Sequence, residues 1–186
     1  SPAEVERWLE IFDEPNDYAW QVKRKLIWLG TQSYMFCYAY DEHMAEHGHG
    51  SDGIGPTNDF ICEGTTEWSG LGPVDILARM LDLDDADRAD LLQWRAPHFA
   101  PYEILSTDEP FMEVHNLLSD RVYEVRNDTP EAWGDQTLVL GKLVPWRGEW
   151  TWSGWQRDCS HVPEEAWPDM IQAMKRKNPR ALCRCD

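Results

Sequence analysis

Apolar positions recur at helical spacing over the first half of the chain and alternate in short runs over the second. Ser1-Pro2-Ala3-Glu4 reads as a helix start. Ser would cap, Pro takes the first helical position and Glu closes a capping box. Val5, Trp8, Leu9 and Phe12 follow one or two turns apart. Glu14-Pro15-Asn16 breaks the pattern, and Asp17 is placed to cap a second helix running through Trp20, Lys23, Ile27, Tyr34 and Tyr38 toward Glu46. Gly30 is where that stretch would kink or split in two. The stretch is apolar on more than one face, which predicts the central helix of a helical layer.

His47 to Pro56 holds four glycines and a proline and predicts a loop with no regular element. Phe60 to Trp68 fits either a short helix or an extended piece, and Ser69 to Pro73 breaks again. Val74 to Leu81 reads as a helix with Pro73 at its start. The acidic run Asp82 to Asp87 offers caps for the next helix, with Asp84 and Asp87 suited to an acidic first turn. That helix carries Ala86, Leu91, Leu92 and Trp94 and stops before Pro97.

After Pro101 the period changes. Strands are predicted at Tyr102–Leu105, Phe111–His115, Arg121–Val125, Thr137–Val144 and Glu149–Ser153, with Ser119-Asp120 and Arg147-Gly148 as turns. Pro163 or Pro168 opens a last helix with Trp167, Met170, Ile171 and Met174. The pattern predicts an α+β fold. An N-terminal helical layer over residues 1–98 packs on a small five-stranded antiparallel SH3-like barrel over residues 99–160. A C-terminal helix and basic, cysteine-containing tail occupy residues 161–186.

Charge adds a division that periodicity does not. Of 186 residues, 34 are acidic and 17 basic, a net charge of −17. Residues 1–120 hold 24 acids and 7 bases and account for all of it, while residues 121–186 hold 10 of each. A field of this sign disfavours nucleic-acid binding by the acidic part. It is an ordinary solvated surface, an acidic docking face or a phosphate mimic. No run approaches 18 apolar residues, so no membrane span is expected, and no charged-then-apolar leader opens the sequence. Five irregularly spaced cysteines (Cys37, Cys62, Cys159, Cys183 and Cys185) argue against a disulfide framework and for a reducing, cytoplasmic setting.

From Gly72-Pro73-Val74-Asp75-Ile76-Leu77 through Asp84–Trp94 to Pro101-Tyr102-Glu103-Ile104-Leu105, the chain resembles SEC-C motif-containing proteins of unknown function. Asn116-Leu117-Leu118-Ser119-Asp120-Arg121 is similar to that family's hairpin D-L-L-T-G-E. Gly134-Asp135-Gln136 through Val144-Pro145 is similar to its strand G-D-L-L-x-G-R-L-V-P, and Gly148-Glu149-Trp150 with Ser153-Gly154 to its closing residues. The likeness covers residues 71–155 and implies a helical pair running into a small β module. It also implies a zinc-binding segment opened by C-x-C, which Cys183-Arg184-Cys185 would supply. Two thiolates do not complete a tetrahedral zinc site: the motif is cut short at Asp186, has decayed, or is completed from a distance by Cys159 and His161, and a plain frayed tail is the simpler expectation.

Two further constellations carry chemistry. His43-Met44-Ala45-Glu46-His47 fits the H-x-x-E-H pattern of inverted zinc metallopeptidases. On a helix His43 and His47 share a face, and Glu46 would polarise a metal-bound water. Trp146, Trp150, Trp152 and Trp155 crowd one hairpin, where Trp150 and Trp152 must point to one side. They fill a core or interface, or they grip a Pro-rich peptide, a methylated cation or a stacked base. Lys175, Arg176, Lys177, Arg180 and Arg184 make the tail basic. Phosphate-cradling, dinucleotide-binding and nucleophile-elbow motifs are absent. The sequence therefore favours a binding or adaptor protein with a protein partner over an enzyme. A zinc-dependent hydrolase using His43, Glu46 and His47 is the alternative.

Overall fold

The computed structural model describes residues 2–49, 52–96, 98–128 and 133–177. The chain divides into two compact units, Ser1–Arg95 and Ala96–Asp186.

The first unit is helical: α1 (Pro2–Asp13), α2 (Ala19–Gln32), α3 (Cys37–His47), α4 (Ile54–Glu63), α5 (Pro73–Met80) and α6 (Asp85–Gln93). The Ser1 cap falls outside the described residues. Helix α2 is central and touches α1, α3, α4 and α5. Its Val22, Leu26 and Leu29 are buried with Phe60 and Ile61 of α4 and Leu77 of α5. This apolar burial, about 25 cal/mol per Å², is the main force holding the layer.

The long second helix expected from the sequence is two helices, and the break is not at Gly30. It falls at Ser33, whose backbone is extended (ψ 144°) and whose Oγ donates to the Leu29 carbonyl. Gly30 stays inside α2 because α4 needs the space. A Cβ there would lie 2.8 Å from Ile61 Cγ2 and 3.3 Å from Pro73 Cγ.

The Gly-rich loop is shorter than expected, because α4 begins inside it at Ile54. Pro56 sits in the first turn, where its missing N–H has no intrahelical partner to lose, and Gly53 enters with φ 78°. The segment from Phe60, ambiguous by pattern, is helical as far as Glu63.

Two lysines of this unit are buried. Lys23 reaches Asn58 on α4, and Lys25 donates to the Glu14 carbonyl and to Asn16 Oδ1 at 2.6 Å, tying α2 to the chain leaving α1. Burial pushes the Lys25 amine below its ordinary value, against the upward pull of Glu14 and Asp13. Helix α5 opens with Pro73 in the first turn, as its sequence predicts, and the structure adds a cap, with Asp75 Oδ2 accepting from the Gly72 N–H at 2.9 Å. Asp84 Oδ1 caps α6 by accepting from the Asp87 N–H at 2.8 Å. Arg88 clasps the pair, donating to the carbonyls of Ala78 (3.1 Å) and Leu83 (2.8 Å).

The second unit holds β1 (His98–Ser106), β2 (Phe111–Asn116), β3 (Arg121–Arg126), β4 (Leu138–Trp146) and β5 (Glu149–Asp158). A short 3-10 turn (Glu164–Ala166) and α7 (Trp167–Lys177) follow. The fold is α+β with a five-stranded mixed sheet. The expectation of a wholly antiparallel sheet is corrected at one seam: β3 and β5 pair in parallel, Val125 with Trp150. Hydrogen-bonded neighbours run β1-β2-β3-β5-β4, and β4 also pairs with β1, so the sheet closes on itself. Met112 and Val114 of β2 and Tyr123 and Val125 of β3 alternate into a core with Tyr102 and Leu143. The Arg147-Gly148 turn has both residues at positive φ (52° and 79°). That geometry matches the right-handed twist of the flanking strands.

Side chains pin the loops. Asn116 Oδ1 accepts from the N–H groups of Leu118 (2.9 Å) and Ser119 (3.1 Å) and shapes the β2–β3 turn. Asn127 donates to the Thr107 carbonyl at 3.0 Å and accepts from Trp133 Nε1 at 3.1 Å. No helix among the described residues is long and apolar enough to cross a membrane.

Candidate functional site

His43 and His47 do share a face of α3, with ring centroids 4.5 Å apart and planes 23° from parallel. Stacked rings aim their lone pairs along near-parallel lines rather than at one point. Each ring also spends a nitrogen on backbone, since a carbonyl can only accept. His43 Nε2 donates to the Pro56 carbonyl and His47 Nδ1 to the His43 carbonyl, both at 3.1 Å. Phe60 lies 5.5 Å from the His43 ring, so this histidine packs α3 onto α4. Glu46 is exposed, its carboxylate 4.0 Å from His47 Nδ1. Among the described residues no group of three His, Cys, Asp or Glu side chains could hold a metal ion. The pair does not fit a zinc centre, and nothing in this geometry carries the hydrolase reading forward. Cys183 and Cys185 lie outside the described residues. Cys159 is half-buried and His161 exposed, both just beyond β5.

The four hairpin tryptophans do not form one exposed face. Trp146 is buried. Trp150 and Trp152 point together, as alternation requires, but toward the core. Trp150 meets Tyr123 edge-on at 5.0 Å, and Trp152 meets Tyr102 edge-on at 5.3 Å. Trp152 Nε1 lies 3.5 Å from Met112 Sδ. Gly141 makes the room, because a Cβ there would stand 2.6 Å from the Trp152 ring. Trp155 lies apart, 6.0 Å from Phe99, and that ring in turn faces Lys142.

The exposed aromatics are on the helical unit instead. Helix α3 has no buried residue. Of its six exposed positions, Tyr38, Asp41, Glu42, Ala45 and Glu46 are spaced i, i+3, i+4, i+7 and i+8, which is one helical face, and the sixth is His47. Tyr34, one turn earlier, is 99% exposed, Tyr38 is 73% exposed and Trp68 is 75% exposed. The Tyr38 hydroxyl donates to Glu42, whose carboxylate holds the phenol above its ordinary value of 10.0; Glu67, next to Trp68 in the chain, adds to the effect.

No Lys or Arg lies on α3, and Glu46 stands in the last turn, where the helix dipole favours a cation. Five of the unit's seven Lys and Arg side chains are engaged inside it, while Arg7 and Arg79 are exposed. Besides Lys23, Lys25 and Arg88, Arg24 pairs with Glu14 at 2.5 Å and Arg95 with the buried Asp75 at 3.0 Å. The sequence carried this face in its residues, but the spacing of Tyr38, Asp41 and Glu42 becomes a surface only once α4 has taken the opposite side.

A second charged cluster sits on the sheet. His115 Nδ1 faces Glu103 Oε2 at 3.2 Å across the β1–β2 ladder, and its Nε2 faces Asp120 Oδ1 at 2.8 Å in the β2–β3 turn. Both carboxylates only accept, so both ring nitrogens must carry protons. Burial lowers the imidazole's affinity for its second proton, but hydrogen bonds to Asp120 and Glu103 outweigh it and hold the group above its ordinary value of 6.5.

Compared with known proteins, the chain matches no family model, no curated protein and no solved structure.

Proposed function

We propose that this chain is a non-enzymatic binding or adaptor protein whose helical unit docks a cationic protein segment along α3. The observation that carries the reading is the outward face of that helix. Exposed aromatic rings (Tyr34 one turn before the helix, Tyr38 in its first turn) run into the carboxylates Asp41, Glu42 and Glu46, with no Lys or Arg on the helix and with His47, beside Glu46, as its one basic residue in the last turn. Lys and Arg side chains answer both halves of the face, as counter-ions for the carboxylates and as cations over the rings. The unit Ser1–Arg95 carries 19 acidic and 7 basic residues, a net of −12, so its field draws such a partner in and repels nucleic-acid phosphates.

For the second unit we propose a small Greek-key barrel, because the strand order β4-β1-β2-β3 is a Greek key. A five-stranded Greek-key barrel is of the OB type, which this order favours over the SH3-like form. The resemblance to SEC-C motif-containing proteins stands beside this as a proposal of family, resting on residues 71–155.

The test is a titration of a fluorescent oligo-arginine peptide. Binding should weaken several-fold in Tyr38→Ala and in the pair Asp41→Asn/Glu42→Gln, and should fall as salt rises. The pair Asp82→Asn/Asp85→Asn removes the same charge from exposed positions elsewhere in the unit. Equal weakening by that control pair would mean that only net charge is felt, and the reading would fail.

A further inference from the structure

Helix α7 is amphipathic, and none of its described side chains is fully buried. It nevertheless places Ile171 and Met174, one turn apart, against the core of the closed sheet. The same core is rimmed by Trp133, Trp150 and Trp152, all half-buried, with Trp133 and Trp152 centroids 5.5 Å apart. The tryptophans have holding contacts outside α7. Trp133 is fixed by Asn127, Trp150 by Tyr123, and Trp152 by Tyr102, Met112 and the space over Gly141. The three tryptophans and the two α7 side chains thus pack on one core, as apolar anchors of an amphipathic helix do in an aromatic-lined groove.

We propose that this rim is a helix-binding site and that α7 is its exchangeable occupant. The ligand class is a short amphipathic helix with apolar residues three apart, and the partner it fits is α7 of a second copy of this chain. The occupant on the same chain is present at an effective concentration near the millimolar range, because a short connection tethers it. It therefore masks the site against a helix supplied from outside. Two partly exposed anchors release more readily than a buried helix, since local opening follows buried apolar contact. Exchange of α7 between two copies then costs little, because each seat loses and regains the same contacts.

The test uses a fluorescein-labelled peptide of residues 163–177 and the full chain. Wild type should show at most weak binding, because its own α7 fills the seat. Ile171→Asp/Met174→Asp, which unseats α7, should bind the peptide at least tenfold more tightly, and its thermal midpoint should rise with peptide concentration. The milder pair Ile171→Ala/Met174→Ala serves if the charged pair fails to fold. A folded variant that does not bind, or that binds no better than wild type, overturns the proposal. So does equal binding of a control peptide in which Ile171 and Met174 are replaced by Ser.

Discussion

His115 couples three parts of the second unit through one ring: β1 by Glu103, its own strand β2, and the β2–β3 turn by Asp120. Asp120 stands at φ 59°, a left-handed conformation that glycine adopts freely and aspartate does not. Its carboxylate is therefore bound by the ring at a position where its backbone is strained. Because the folded state holds the imidazolium more tightly than the unfolded chain does, the contribution to stability is complete below about pH 6.5, the ordinary value. It is lost as pH rises through the raised folded value. Urea midpoints measured from about pH 5.5 to 9 should fall across that window for wild type, and His115→Gln should flatten this part of the profile. A wild-type midpoint that is unchanged or rises there would remove the clasp. The sequence did not disclose this cluster, because Glu103 and His115 are 12 positions apart and meet only through the register of β1 with β2.

Elements were more legible than the polar side chains that join them. Pro73, and Asp84 in its acidic run, announced the starts of α5 and α6, because such signals act within one turn of chain. Alternation placed all five strands, and Arg147-Gly148 marked its hairpin. What failed was the punctuation by glycine. Gly30 looked like a break and is a point of close approach, and the glycines before Pro56 looked like a loop and run into α4. Glycine signals either freedom or proximity, and only the neighbouring helix distinguishes them. Gly30→Val should therefore lower stability by about 1–3 kcal/mol through overpacking against Ile61. Gly30→Ala should fare better, because its gain in helix propensity of about 1 kcal/mol offsets part of the clash. Chemical denaturation of both variants measures the difference; a Val variant as stable as wild type would show that the α2–α4 approach is not tight. The hairpin tryptophans illustrate the same limit. Alternation put Trp150 and Trp152 on one side, but Gly141 and Tyr102, far off in sequence, decide that this side is core.

Over the whole molecule, charge follows the division between Arg95 and Ala96. The first unit carries the net −12 and the second, with 15 acidic and 10 basic residues, a net of −5. Self-repulsion at that density destabilises the compact helical unit, and salt screens it over about 10 Å at 0.1 M. Raising NaCl from about 0.05 to 0.5 M should raise the unfolding temperature of the helical unit, followed by far-ultraviolet circular dichroism. A fall would mean that attractive pairs such as Arg24–Glu14 outweigh the repulsion. The asymmetry was visible in the sequence, since charge counts need no fold, but its edge at residue 120 is not the division of the fold, because residues 96–120 of the second unit carry five acids and no base. The α3 face that gives it a direction was not visible.

The seam between β3 and β5 has a consequence for the life of the chain among other copies of itself. A ring of strands offers no unpaired backbone edge, and an edge is what templates the addition of foreign strands. Here the ring is fastened at one place by a single registered pair, Val125 with Trp150, while the other junctions run for several residues. Parting that one bridge exposes two edges at once and uncovers Trp150 beside them. Protection from strand-mediated aggregation in this protein therefore rests on its thinnest junction.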